Sequence, residues 1–113
     1  MAYEVNGTTI EADENGYLTD LNTWSEDVAK VIAAAEGIDE LTKEHWDLIN
    51  YLRSTYINEN GEQPNNRAIN KAMADAWGRK VGSKDVFLLF PLGPSKQAGK
   101  IAGLPESKRK GGY

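Results

Sequence analysis

A chain of 113 residues, 40% hydrophobic and 27% charged, is long enough to close one core, too short for two, and ordinary in composition for a soluble globular domain. No run approaches the ~18 apolar residues of a bilayer span, and the opening Met1-Ala2-Tyr3-Glu4-Val5-Asn6 lacks the basic and apolar regions of a signal peptide, so a cytoplasmic monomer without membrane contact is expected. Cysteine is absent, which excludes disulfides, thiolate metal sites and cysteine nucleophiles.

In chain order, the first signal is β. Tyr3-Glu4-Val5 and Thr8-Thr9-Ile10 flank Asn6-Gly7, the pair best suited to the two positive φ values of a type I′ hairpin turn. A second turn at Glu14-Asn15-Gly16 leads into Tyr17-Leu18, a candidate short third strand. Helices follow. Thr23 and Glu26 have capping-box spacing, and Trp24, Val28, Val31, Ile32 and Ala35 recur at helical intervals up to Gly37. Thr42 is the expected cap of a second helix bearing Trp46, Ile49, Leu52 or Arg53, and Tyr56 on one face, closed by Gly61. A third starts after Pro64, capped by Asn65 or Asn66, and presents Ile69, Ala72, Met73, Ala76 and Trp77 until Gly78. A short fourth follows Ser83 through Val86, Phe87 and Phe90, and a fifth runs from Pro94 to Ala102 with Gly103 as its stop. The predicted fold is mainly α: a small bundle of about five helices, helix-turn-helix-like, with an N-terminal β-hairpin in residues 1–20 and a flexible C-terminal arm. Residues 1–105 form the domain and 106–113 a basic, mobile tail.

The net charge of −4 hides an asymmetry. Residues 1–62 carry fourteen acids against three bases, a net of −11, and residues 63–113 carry ten bases against three acids, a net of +7. Either a basic face awaits an anionic partner, or the two halves neutralise each other across the fold. Both readings stay open at this level.

The tail carries a specific resemblance. Leu89-Phe90-Pro91, Gly93-Pro94, Lys96-Gln97-Ala98 and Ala102-Gly103-Leu104-Pro105 resemble the C-terminal arm of the DsrC/TusE family of sulfur-carrier proteins. Glu44-His45-Trp46-Asp47 with Ile49-Asn50 and Leu52-Arg53 is similar to that family's signature helix, Pro64, Arg67 and Lys71 to its next basic motif, and Gly16-Tyr17-Leu18 with Leu21-Asn22 and Trp24 to its N-terminal region. The matches keep their order from residue 16 to 105. The resemblance implies a compact helical domain with a hairpin, and an arm with one cysteine directly after Lys-Gln-Ala and a second as the penultimate residue. The penultimate thiol takes up sulfur, and the arm delivers it to partners such as dissimilatory sulfite reductase. Here those positions are Gly99 and Gly112, and the link between Pro105 and Gly111 is longer than the family's.

Other candidates are weaker. His45 is the only histidine, and with neither a cysteine nor a second histidine beside it, it reads as a hydrogen-bonded structural residue. Trp24, Trp46 and Trp77 fall on apolar stripes and read as core, not base-stacking platforms. The carboxylates Asp39, Glu40, Glu44 and Asp47 lack the alternating oxygens and internal glycine of a calcium loop, and no metal or other cofactor is expected. Arg67 and Lys71, four apart on one helical face, with Arg79, Lys80 and Lys84 beyond, suit phosphates or the acidic first half. By the resemblance, basic residues of this kind also lie near the arm when it folds back, where they would neutralise the carboxylate of Tyr113. Lys96, Lys100, Lys108, Arg109 and Lys110 complete the basic arm that would contact partners.

The expected function is that of a DsrC-like protein of sulfur metabolism, not itself an enzyme. It is unable to carry sulfur, and it binds or regulates the sulfite reductase or sulfur-relay partners of cysteine-bearing carriers. The alternative is a nucleic-acid-binding regulator, because Pro64 to Phe90 holds two helices joined by a glycine-bearing turn.

Overall fold

The computed structural model describes residues 1–106. Strands β1 (Ala2–Val5) and β2 (Thr8–Glu11) pair antiparallel with Tyr3 opposite Ile10 and Val5 opposite Thr8. The turn between them places Asn6 at φ 51° and Gly7 at φ 82°, as a type I′ turn requires. Tyr3, Val5 and Ile10 point inward, and the hairpin packs on α1 (Glu26–Ala35). The candidate third strand is reduced to a single bridge between Ala12 and Leu18.

The first helix begins later than the spacing of Thr23 and Glu26 predicts. The Thr23 hydroxyl donates to the Asp20 carbonyl at 2.7 Å inside a 3-10 turn at Leu21–Thr23, so it is not available as a cap. Ser25 takes over and accepts from Val28 N. Trp24 is therefore extended (φ −71°, ψ 143°) and lies outside α1, its ring aimed at a distant segment instead of along the helix stripe. Ala35 and Ala76, expected on inward faces, are exposed.

Four more helices start and stop close to expectation. α2 (Lys43–Asn58) follows Thr42, and α3 (Asn66–Trp77) is capped by the Asn65 side chain and closed by Gly78 in the left-handed region. α4 (Ser83–Leu89) buries Val86 and, one turn on, Phe90, while Phe87 and Leu88 turn outward and are 38% and 74% exposed. α5 (Pro94–Ile101) is the hub. It touches α1, α2, α3 and α4, and five of its eight residues are buried, Ala98 and Gly99 among them. A helix enclosed on several sides needs small residues where neighbouring backbones approach. The core formed by Val28, Ile32, Leu48, Ile49, Ile69, Phe90, Ile101 and Leu104 gathers around it.

Candidate functional site

The chain runs on from the C-terminal end of α5 through Gly103, Leu104 and Pro105, and the geometry there is tightly specified. Gly103 N–H donates to Lys100 O and Leu104 N–H to Gly99 O, both at 3.0 Å. These are the two bonds of a Schellman motif, with Gly103 at φ 77° as its left-handed residue. A Cβ at Gly103 would lie 2.5 Å from Trp24 Cδ1, so the absence of a side chain lets the indole close over the turn. The indole Nε1–H donates to Ile101 O at 2.8 Å, and Arg53 stacks on the indole at 4.0 Å while its Nη1–H donates to Ala102 O at 2.7 Å. Two consecutive carbonyls left over at the helix end thus find partners on separate elements, 77 and 49 residues away in sequence. Further out, Gln63 Nε2–H donates to Pro105 O and Asn15 Nδ2–H to Glu106 Oε1, both at 3.0 Å.

The other end of α5 is held from outside as well. Asn66, buried at the start of α3, accepts from Ser95 N–H at 3.1 Å and so caps α5 in place of Gly93, which has no side chain to do it. Arg53, Asn66 and Trp24 are the residues that sequence reasoning missed as parts of this frame. Arg53 left one trace, a cation beside an apolar stripe; Asn66 left none beyond its candidacy as a cap of its own helix.

Gly99 sits on α5 facing a small cavity of about 10 Å³ whose walls include Tyr17, Leu52, Pro64, Ser95 and Leu104. A Cβ built at Gly99 meets nothing within 4 Å, so the backbone here tolerates a Cβ although none is present. Burial, then Glu106, Glu36 and Asp13, push the Tyr17 phenol up to about 12, and it stays protonated at neutral pH. Gly112 and the tail residues Lys108, Arg109, Lys110 and Tyr113 lie outside the described residues.

The basic residues separate into two groups. Arg67 and Lys71 are exposed on α3, and among the described residues neither pairs with a carboxylate. Lys96 lies along α5 at the mouth of the cavity. Lys100 is already engaged: its Nζ is 3.3 Å from Glu36 Oε2, with both side chains less than one-fifth exposed, and it lies over the Tyr17 ring. Arg79 pairs with Glu44 at 2.8 Å and lies over Trp77. These two ion pairs join the acidic half of the sequence to the basic half, so part of the charge asymmetry is neutralised internally.

His45 is buried beneath Phe90, ring centroids 5.1 Å apart and edge to face. Its Nδ1 accepts from Thr42 N–H at 3.0 Å, so its other nitrogen carries the proton and donates to Leu89 O at 3.0 Å. Burial lowers its pKa, partly offset by the Leu89 bond and by Glu44. Asp47 accepts from Lys43 at 2.9 Å and from Trp77 Nε1 at 2.8 Å, and those two bonds, the lysine first, hold its carboxyl below the usual range. Among the described residues no group of three or more His, Asp or Glu is placed to hold a metal ion. No helix there is long and apolar enough to cross a membrane. α3 and α4 are in contact, and the exposed residues of seven-residue α4 are Ser83, Lys84, Phe87 and Leu88, one cation with a serine and two apolar side chains instead of a basic reading face.

The same fold occurs in known proteins. A solved structure of the oxidized gamma-subunit of the dissimilatory sulfite reductase (DsrC) from Archaeoglobus fulgidus superposes with a TM-score of 0.87 at 34% identity, over 96% of this chain and 98% of that one. The NMR structure of DsrC from Allochromatium vinosum gives a TM-score of 0.85 at 43% identity, with the same coverage. Sulfurtransferase TusE of Sodalis glossinidius is 50% identical over 104 residues, 91% of this chain and 94% of that protein. TusE of Escherichia coli is 46% identical over 101 residues, 88% and 91% of the two chains. The profile of the DsrC-like proteins matches residues 4–109. With fold and sequence in agreement over nearly the whole chain, the protein belongs to the DsrC/TusE family of sulfur-relay proteins.

Proposed function

We propose that this chain is a family member that does not carry sulfur and instead docks on the protein partners of cysteine-bearing relatives. One observation carries the reading: there is no sulfhydryl anywhere in the 113 residues, and sulfur loading requires a thiolate. Glycine occupies position 99, where the fold leaves room for a Cβ, and position 112. What remains of the arm is shape and charge. Its root is held by Trp24, Arg53 and Gln63, and Lys108, Arg109 and Lys110 would steer encounter with an acidic channel mouth, accelerating association at low salt. Arg67 and Lys71 offer a second basic contact on the domain. Binding in this way would compete with or modulate transfer by true carriers.

The test is titration of the protein into a sulfur-relay complex or a sulfite reductase at low salt, followed by mass spectrometry of the recovered chain. Saturable binding weakened by salt, with no mass increase, is expected. No association at low salt would remove the docking role, and a reductant-sensitive gain of one sulfur atom would remove the non-carrier role. A gel shift with duplex DNA that survives moderate salt would favour the nucleic-acid reading instead.

A further inference from the structure

Beside α5 lies an open cleft of about 190 Å³ lined by Tyr17, Glu36, Leu92, Lys96, Gln97 and Lys100. Its floor contains an anomaly. Gln97 is only 2% exposed. Its Oε1 accepts from Leu92 N–H at 3.1 Å, which fixes the orientation of the amide, and its Nε2 is buried with no hydrogen-bond partner. A buried amide donor left unsatisfied costs ~1–3 kcal/mol, a cost recovered when the Gln97 side chain shifts enough for Nε2 to meet an acceptor in the cleft.

The rest of the lining says which acceptor. Lys100 and Glu36 form a shielded ion pair and cancel each other. Lys96 has no carboxylate partner among the described residues and is the one uncancelled charge of the lining, with Glu106 and Asp13 acting on Tyr17 from outside it. The Tyr17 hydroxyl makes no hydrogen bond among those residues and, held at about 12, is available as a donor. Leu92, 70% exposed, supplies an apolar rim.

From this set of donors, one uncancelled cation and an apolar lip, we propose that the cleft is a binding site for a carboxylate on a short apolar stem. The ligand is either a free small acid or the acidic side chain of a docked polypeptide. The carboxylate accepts from Gln97 Nε2 and pairs with Lys96, while the stem lies on Leu92. The lining does not include Gly99, and the proposal does not depend on the non-carrier reading.

The side-chain amide of Gln97 is its own reporter in a nitrogen-15 NMR spectrum of the full chain. Butyrate and the blocked tripeptide acetyl-Ala-Glu-Leu-amide are the probes, with butyramide and the Gln-for-Glu tripeptide as controls. Expected is a saturable shift of the Gln97 Nε2 resonances and the Leu92 amide with an acid probe at low millimolar concentration, absent with the controls. Similar affinity for both acids assigns the site to free carboxylates, and saturation by the tripeptide alone assigns it to an acidic side chain of a partner. Gln97→Glu keeps the acceptor for Leu92 N–H but removes the donor and adds a like charge, so it should abolish the shift of Leu92. Lys96→Ala, at a position not in the core, should weaken binding by roughly tenfold. No saturable shift by about 20 mM acid, or equal shifts with the amide controls, overturns the proposal.

Discussion

Alanine at position 103 should unseat the arm's root from the domain. The residue there has φ 77°, a conformation that costs an L residue roughly 1–2 kcal/mol more than glycine. The new Cβ would lie 2.5 Å from Trp24 Cδ1 and 2.9 Å from Cγ, well inside carbon–carbon contact. The indole must then move, although Ile101 O and Arg53 hold it on two sides, and overpacking of this kind adds about 1–3 kcal/mol. The two terms together predict a loss of roughly 2–5 kcal/mol, or about 10–25 °C in melting temperature for a domain of this size. Gly78→Ala is the matched control. That glycine also has positive φ, 65°, but a Cβ there meets nothing within 4 Å, so only the backbone cost applies and the drop should be about 5–10 °C. Thermal unfolding followed by circular dichroism separates the two variants. If Gly103→Ala melts within about 3 °C of Gly78→Ala, the close packing of Trp24 on the arm's root is not a significant part of stability.

Three further outcomes follow from the same coordinates. Burial sets the His45 pKa below its ordinary 6.5, so the unfolded chain takes up this proton first as pH falls. Stability should be full above about pH 6.5 and decline below it towards the folded-state value; His45→Gln, which keeps a capping-box acceptor, should flatten that decline, and an unchanged slope in denaturant midpoints between about pH 7 and 5 would contradict the assignment. Gly99→Cys places its Cβ clear of neighbouring atoms and replaces a helix-interior glycine, so stability should hold or rise by about 0.5 kcal/mol; a loss above about 1 kcal/mol in chemical denaturation would show that the cavity cannot accept the sulfur as well. Gly112→Cys should gain one sulfur from a low-molecular-weight persulfide, the new thiolate attacking the outer sulfur and releasing the donor's thiolate, while the parent chain gains none. Failure to load would mean that more than the thiol is missing.

How much was legible depended on how local the cause was. Asn6-Gly7 specified the hairpin because two adjacent positive φ values admit few other residues. Pro94 and Gly103 bracketed α5 for similar reasons, fixed φ at the start and left-handed freedom at the end. Asn65 and Gly78 delimited α3 by hydrogen bonds and dihedrals contained within a few residues. Thr23 and Trp24 show the limit: their spacing suited a helix start, yet Asp20 captured the hydroxyl and Ser25 served as the cap. Phe87 shows another, since a seven-residue helix offers a stripe only wide enough for Val86 and, one turn on, Phe90.

By itself, the order of residues determined the family, the helical class, the turns and the lack of any thiol, because each is a property of composition or of neighbours along the chain. Tertiary structure alone decided that Trp24 and Arg53 close on the end of α5, that Asn66 caps its beginning, and that Gln97 is left with a donor and no acceptor. Those contacts join groups 29 to 77 residues apart, or in the last case reflect which groups failed to arrive. Satisfying a buried polar atom depends on what folding brings beside it, and no local pattern encodes that.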